Sequence, residues 1–141
     1  LTKSLDFGGR YESWATIISK DYHSYEYWFS IYSDNSLRTY FNAQQYVGGA
    51  GTIQRNSWQQ IAISWNGSNV KYYINGNLDK TDSTTVTKIN SLGRDLIIGS
   101  NIISNLTNPG QYHMNGTLDE LMIFNRSLSD AEIKQIYDSQ K

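Results

Sequence analysis

Apolar residues recur at every second position over most of this chain, and the spacing stretches to that of a helix only near its end. In YEYWFSIYS, Tyr25, Tyr27, Phe29 and Ile31 fall on one face, and Glu26, Trp28, Ser30 and Tyr32 on the other. Such alternation belongs to a strand, whose successive side chains point to opposite faces. Its second face is itself partly aromatic, so both sides of the strand are expected to be covered. SDNS (residues 33–36) reads as a turn and LRTYF (37–41) as the returning hairpin partner. WQQIAISWNG sets Ile61, Ile63 and Trp65 against Trp58, Gln60, Ala62 and Ser64. NVKYYING follows, and Asn75 with Gly76 is the strongest hairpin signal in the chain, because a two-residue turn needs positive φ at both central positions. NLDK then folds back, and RDLIIGS and TLDELMIFN add two short strands with apolar centres.

One helix is predicted, at the end. Ser129 stands where an N-cap would, with Glu132 three residues on to complete a capping box, and Leu128 and Ile133 are spaced for a hydrophobic staple. Ile133, Ile136 and Tyr137 form a narrow apolar stripe, so this short helix must lean on a sheet to exist. About seven to nine strands and one terminal helix argue for an all-β fold, an antiparallel two-sheet jelly-roll sandwich.

Composition adds little beyond this. A chain of 141 residues fits one domain with a real core. Twelve basic and 13 acidic residues leave a formal charge of −1, which gives no field for steering nucleic acid. No apolar run approaches the length of a membrane span. With no cysteine, disulfides and thiolate metal sites are excluded. Eleven Tyr, 4 Trp and 4 Phe beside plentiful Asn, Ser, Thr and Gly suit strands joined by polar turns.

Three segments resemble the laminin G-like jelly-roll domains of the concanavalin A-like lectin/glucanase superfamily. WQQIAISWNGSNVKYYINGNLD is similar to a Trp, an apolar strand, a turn and an aromatic strand ending in Asn-Gly. LIIGSN is similar to the short strand ending in Gly. MNGTLDELMIFNRSLSDAEIKQIY is similar to the closing strand and helix, and WATIISKD is a weaker match. Together they run from Trp14 to Tyr137. The resemblance implies a single domain over residues 1–141. It also implies a departure: only RYES separates Gly9 from Trp14, where the family pattern places a further strand. The domain is therefore expected to be truncated at its N-terminus. Its exposed edge would be filled by a longer parent chain or another copy, or blunted by Lys3 and Arg10.

The candidate chemistry is sparse. Asp119 and Glu120 head an apolar run, and in a strand they would point to opposite faces, which disfavours the paired carboxylates of a glycosidase. The bland alternative is a carboxylate accepting backbone N–H groups or pairing with Arg126. The resemblance implies a third, a Ca²⁺ site at Asp119, which needs help from Asp6 or loop carbonyls because a hard cation takes several oxygens. His23 and His113 read as surface residues, and YVGGAGT as a hairpin tip. Trp58, Trp65, Phe29 and Phe124 sit inside alternating runs and read as core. Tyr22, Tyr25, Tyr46 and Tyr112 lie in or beside loops, where exposed rings would dock a sugar; the competing reading is tyrosine at a sheet edge with its hydroxyl in water. Sequons begin at Asn66, Asn105, Asn115 and Asn125. Asn105, Asn66 and Asn115 are the glycosylation candidates, while Asn125 is expected to be buried. The resemblance thus implies a non-catalytic adhesion or recognition module outside the cell or on its surface, with a glycan or surface protein as partner. The rival is a structural subunit of a filament, surface layer or larger exported protein. Nucleic acid is not an expected partner, no membrane span is expected, and Ca²⁺ is the one candidate cofactor.

Overall fold

The computed structural model describes residues 2–6 (backbone alone), 14–20, 26–49, 51–101 and 112–140. Among the described residues, ten strands and one helix follow one another: β1 (Thr2–Asp6), β2 (Trp14–Lys20), β3 (Tyr27–Tyr32), β4 (Leu37–Phe41), β5 (Gln44–Val47), β6 (Ile61–Trp65), β7 (Asn69–Ile74), β8 (Asn77–Ser83), β9 (Leu96–Ile98), β10 (Asn115–Leu118) and α1 (Asp130–Ser139). All pairings given are antiparallel. The order β5-β4-β3-β2-β9 makes a five-stranded sheet and β6-β7-β8 a three-stranded one, with β1 and β10 paired as a separate ribbon. The molecule is a jelly-roll sandwich with one short C-terminal helix.

The alternation seen in the sequence decides which side chains lie between the layers. Ala15, Ile17, Ile31, Leu37, Phe41 and Tyr46 from the five-stranded sheet meet Val70 and Tyr72 of β7, with Ile53 and Val86 from loops. Ile61, Ile63 and Trp65 pack on the same cluster, as their common face requires. Burying a side chain such as Leu37 completely is worth about 1.5–3 kcal/mol. Side chains also tie the layers at one edge: Asp82 accepts the Val47 N–H at 3.0 Å, Asp79 accepts the Gly49 N–H at 2.8 Å, and Lys80 donates to the Val47 carbonyl at 2.7 Å. The glycine-rich stretch is therefore held down on β8 and is no free tip.

Local rules place the turns and the cap. Asn75 (φ 51°) and Gly76 (φ 73°) join β7 to β8, and Gln60 braces them by accepting the Gly76 N–H at 2.9 Å. Ser129 caps α1, accepting the Glu132 N–H while Glu132 accepts the Ser129 N–H at 2.8 Å. Ile133 is the buried residue of the helix. Burial of Glu26 is offset by three partners: the Leu92 N–H, the Arg94 N–H and the Lys20 ammonium at 3.0 Å. Desolvation pushes its pKa up, but those hydrogen bonds and the Lys20 charge outweigh it and hold the carboxyl below its ordinary value.

Three expectations about the closing strand are overturned. β10 stops at Leu118, and residues 119–128 are not strand. The Asp119 carboxylate accepts the N–H of Glu120 at 2.9 Å, and Glu120 adopts φ 51°. A local side-chain bond plus a left-handed residue turns the chain out of the extended path. Phe124 is consequently 48% exposed, not core, and Asn125 is exposed, not buried. Trp58 precedes β6 and is 43% exposed, also against expectation, whereas Phe29 and Trp65 are half-buried against the core.

Candidate functional site: a ring cluster on the outer face of the five-stranded sheet

The face of the five-stranded sheet that turns away from the core is unusually aromatic. Register brings this about. Trp14 of β2 lies opposite Tyr32 of β3, and Trp28 of β3 lies opposite Tyr40 of β4. Directly opposed side chains on one sheet face are close enough to interact. Trp14 and Tyr32 meet edge to face with centroids 4.6 Å apart, and Trp14 and Trp28 are 4.8 Å apart. Trp28 is stacked between Tyr40 at 5.2 Å and Tyr112 at 5.4 Å. Trp28 is thereby buried, while Trp14, Tyr32, Tyr40 and Tyr112 remain half-exposed.

Polar groups hold this cluster in place. The Trp28 indole N–H donates to Thr16 Oγ1 at 3.0 Å. The Arg38 guanidinium lies 4.1 Å from the Tyr32 centroid and 5.7 Å from that of Trp14, within cation–π range. Arg38 also reaches back to the turn, to Asp34 at 2.8 Å and Ser36 Oγ at 3.1 Å. Burial would raise the Asp34 pKa, but the Ser36 hydroxyl and N–H and then Arg38 hold it below its ordinary value. Arg38 is thus a paired cation, and the cluster is close to neutral. Burial pushes the Tyr40 phenol up, so it is protonated at neutral pH, and Gln45 donates to its oxygen. Tyr112 sits at φ 61°, a backbone region that a ring-bearing residue seldom adopts, while its carbonyl accepts the Thr16 N–H at 2.9 Å.

Of the two loop-nominated tyrosines among the described residues, Tyr112 joins this cluster and Tyr46 does not. Tyr46 belongs to β5, is 8% exposed, donates to Gln44 at 2.8 Å and accepts from Thr84, so it is core and not a docking ring. Tyr22 and Tyr25 lie outside the described residues, as do His23 and Asn105. Trp14, Trp28, Tyr32, Tyr40 and Arg38 were missed as site residues. The alternation of β3 already put Trp28 and Tyr32 on the non-core face, and the same reading of LRTYF would have added Arg38 and Tyr40.

The ribbon's register locates the two candidate cation ligands. Asp6 pairs with Asn115 and Thr2 with Leu118, so Asp119 follows the opposite end of the ribbon from Asp6. Four residues of strand separate them by roughly 13 Å. Arg126 is engaged by Glu132 at 2.7 Å, not by Asp119. Among the described residues, no group of three or more His, Cys, Asp or Glu could hold a metal ion. His113 is exposed, as expected. Asn66 and Asn115 are exposed; Asn66 Oδ1 accepts two N–H groups of its own turn, and Asn115 lies in β10.

The family model Laminin_G_3, described as "Concanavalin A-like lectin/glucanases superfamily", matches residues 8–134. The chain belongs to that superfamily. No curated protein matches the chain in sequence. Among solved structures, the fold is similar to a native heptameric SAP-like pentraxin from Limulus polyphemus, with TM-score 0.72 and 20% identity over 96% of this chain and 67% of that one. An S-layer domain-containing protein from Clostridium thermocellum aligns with TM-score 0.49 and 21% identity over 89% of this chain and 63% of that one. The chain thus spans about two thirds of either structure. The pentraxin likeness shows that the superfamily assignment and the jelly-roll architecture agree.

Proposed function

We propose that this domain is a non-catalytic recognition module, working outside the cell or on its surface, and that a carbohydrate docks on the Trp14, Trp28, Tyr32, Tyr40, Tyr112 and Arg38 cluster. The observation that carries this reading is the cluster itself: half-exposed rings gathered on the sheet face that turns away from the core. Sugar rings present apolar C–H faces beside hydroxyls, and rings flanked by phenols, a guanidinium and Gln45 can meet both. Since Asp34 already neutralises Arg38, the surface favours neutral sugars over acidic ones. The superfamily has lectins and glucanases in its name, so membership alone does not decide between binding and catalysis. Against catalysis, Asp119 and Glu120 lie in an exposed turn away from the ring cluster, and the sequence has no paired-carboxylate pattern.

The test is a glycan array probed with the wild-type domain and with Tyr40→Ala and Tyr32→Ala. Binding to neutral glycans that both substitutions weaken at least tenfold supports the proposal. An empty array, or signals indifferent to both substitutions, overturns it. A second reading, a structural module of a surface layer, filament or larger exported protein, is favoured by a separate feature: four consecutive exposed apolar side chains at residues 121–124.

A further inference from the structure

Three asparagines of the chain precede a glycine: Asn66, Asn75 and Asn115. Such a pair can modify itself, because the next backbone nitrogen can reach the side-chain carbonyl carbon and glycine has no side chain to obstruct ring closure. The reaction needs a free backbone N–H as nucleophile, a carbonyl whose developing charge is stabilised, and a peptide free to turn. By sequence the three pairs are alike. The structure makes them unequal.

Asn75 is clamped by Gln60. The Gly76 N–H donates to Gln60 Oε1 at 2.9 Å, so the nucleophile is occupied, and Gly76 is buried. The Gln60 N–H also donates to Asn75 Oδ1 at 3.0 Å, and the Gln60 carbonyl accepts the Asn75 N–H at 2.8 Å. One residue thus fixes both reacting groups. Asn115 and Gly116 lie in β10, which is paired with β1. Turning that peptide to close a ring breaks the ladder.

Asn66 differs on each count. It stands in the β6–β7 loop, where its Oδ1 accepts the Ser68 N–H at 3.0 Å and the Asn69 N–H at 2.8 Å. Bonds to groups two and three residues on fold the side chain back along the peptide of Gly67. Two donors on one carbonyl oxygen also stabilise the negative charge it acquires during attack, as an oxyanion hole does. Among the described residues, no acceptor holds the Gly67 N–H. Asn66 is exposed, so water and hydroxide reach it.

We infer that Asn66 and Gly67 form a self-modifying site, at which Asn66 becomes aspartate or isoaspartate while Gln60 protects Asn75. The Gly67 nitrogen loses its proton to solvent and bonds to Asn66 Cγ. The Cγ–Nδ2 bond breaks, and Nδ2 takes up a proton and leaves as ammonia. The cyclic imide then adds one water, at Cγ or at the Asn66 backbone carbonyl carbon, and opens to isoaspartate or aspartate according to which C–N bond is cut. One water is consumed, one ammonia is released, and nothing is oxidised. The product places a carboxylate, or an additional backbone carbon, in a loop that borders Lys71, Asp130 and Glu132. Nδ2 is also the atom that an N-linked glycan requires, so the reaction removes Asn66 from the glycosylation candidates. The inference is independent of the ring cluster.

The experiment incubates the glycan-free domain in heavy-oxygen water at mildly alkaline pH, both folded and in urea. Peptide mapping by mass spectrometry follows each asparagine, and an isoaspartate methyltransferase marks isoaspartate. In the folded domain, the Asn66 peptide should gain one heavy oxygen and isoaspartate at least tenfold faster than the Asn75 and Asn115 peptides. In urea the three rates should converge. Gln60→Ala should raise the Asn75 rate at least tenfold and leave Asn66 unchanged, whereas Gln60→Glu, which keeps an oxygen acceptor for the Gly76 N–H, should not. If Gln60→Ala fails to fold, the wild-type Asn75 rates decide: a gain of less than tenfold on transfer to urea overturns the protection. A folded Gln60→Ala with Asn75 still protected overturns it as well. Asn66 no faster than the other two in the folded domain, or the same ranking in urea, overturns the site.

Discussion

Trp28 is fixed by Thr16: the indole N–H meets Thr16 Oγ1 at 3.0 Å across the β2–β3 pair, and both residues are buried. Three ring contacts of the cluster meet at this residue, since Trp28 touches Trp14, Tyr40 and Tyr112. Thr16→Val keeps the shape and removes the acceptor. A buried donor left without a partner costs about 1–3 kcal/mol. Urea denaturation should show a loss in that range with an unchanged slope. Because the indole is then free to tilt, glycan affinity should fall as well. A variant as stable as the wild type would mean that the indole N–H finds another acceptor.

The helix cap makes the fold sensitive to acid. Glu132 accepts from Arg126, then from the Ser129 N–H and hydroxyl, and its pKa is lowered to about 2 from an ordinary 4.5. A carboxyl whose pKa is depressed by folding contributes stability that is fully present above about 4.5 and is lost as pH falls towards 2. Glu26, held below its ordinary value, acts in the same direction. The melting temperature should therefore decline on acidification from pH 5 to pH 2. Glu132→Gln should flatten part of that decline and lower stability at pH 7, and added salt should shrink the difference because Glu132 is exposed. An identical pH profile for wild type and variant would contradict this account.

What the sequence revealed and what it hid follow one division. Asn75 with Gly76, and Ser129 with Glu132, are local signals whose geometry is set by neighbouring residues, and the structure shows both. Strand β5 was hidden because its hairpin turn is Asn42 and Ala43, both at positive φ (50° and 65°), without the glycine that marks such turns. Tyr46 was consequently read as a loop residue. Residues 121–124 look like a strand by composition, and a left-handed Glu120 removes them from the ladder. The ring cluster was half legible. Alternation assigned Trp28 to the outer face, but only the strand register puts Tyr40 opposite it.

Gly76 is required twice over. It sits at φ 73°, and a Cβ there would come within 2.9 Å of Tyr137 Cβ and 3.0 Å of Lys134 Cδ, both on α1. A side chain in the left-handed region costs about 1–2 kcal/mol by itself. Gly93, at φ 69°, has nothing within 4 Å of the same added atom, so Gly93→Ala carries the backbone term alone. Gly76→Ala should therefore be more destabilising than Gly93→Ala by about 1 kcal/mol or more, and it should expose α1 to limited proteolysis. Equal losses would show that α1 shifts freely on the β7–β8 hairpin.

Calcium is testable apart from any ligand. A cation bound only by the folded state adds about 2.7 kcal/mol at a hundredfold excess over Kd, a shift of several degrees in the melting temperature. The ribbon register keeps Asp6 away from Asp119, and the Asp119 carboxylate is bonded to the neighbouring N–H of Glu120 at 2.9 Å. On that geometry, EDTA should leave the melting temperature unchanged. The opposite outcome is equally specific. A fall with EDTA that Ca²⁺ reverses, and that disappears in Asp119→Asn, would assign the ion to Asp119 with oxygens other than those of Asp6.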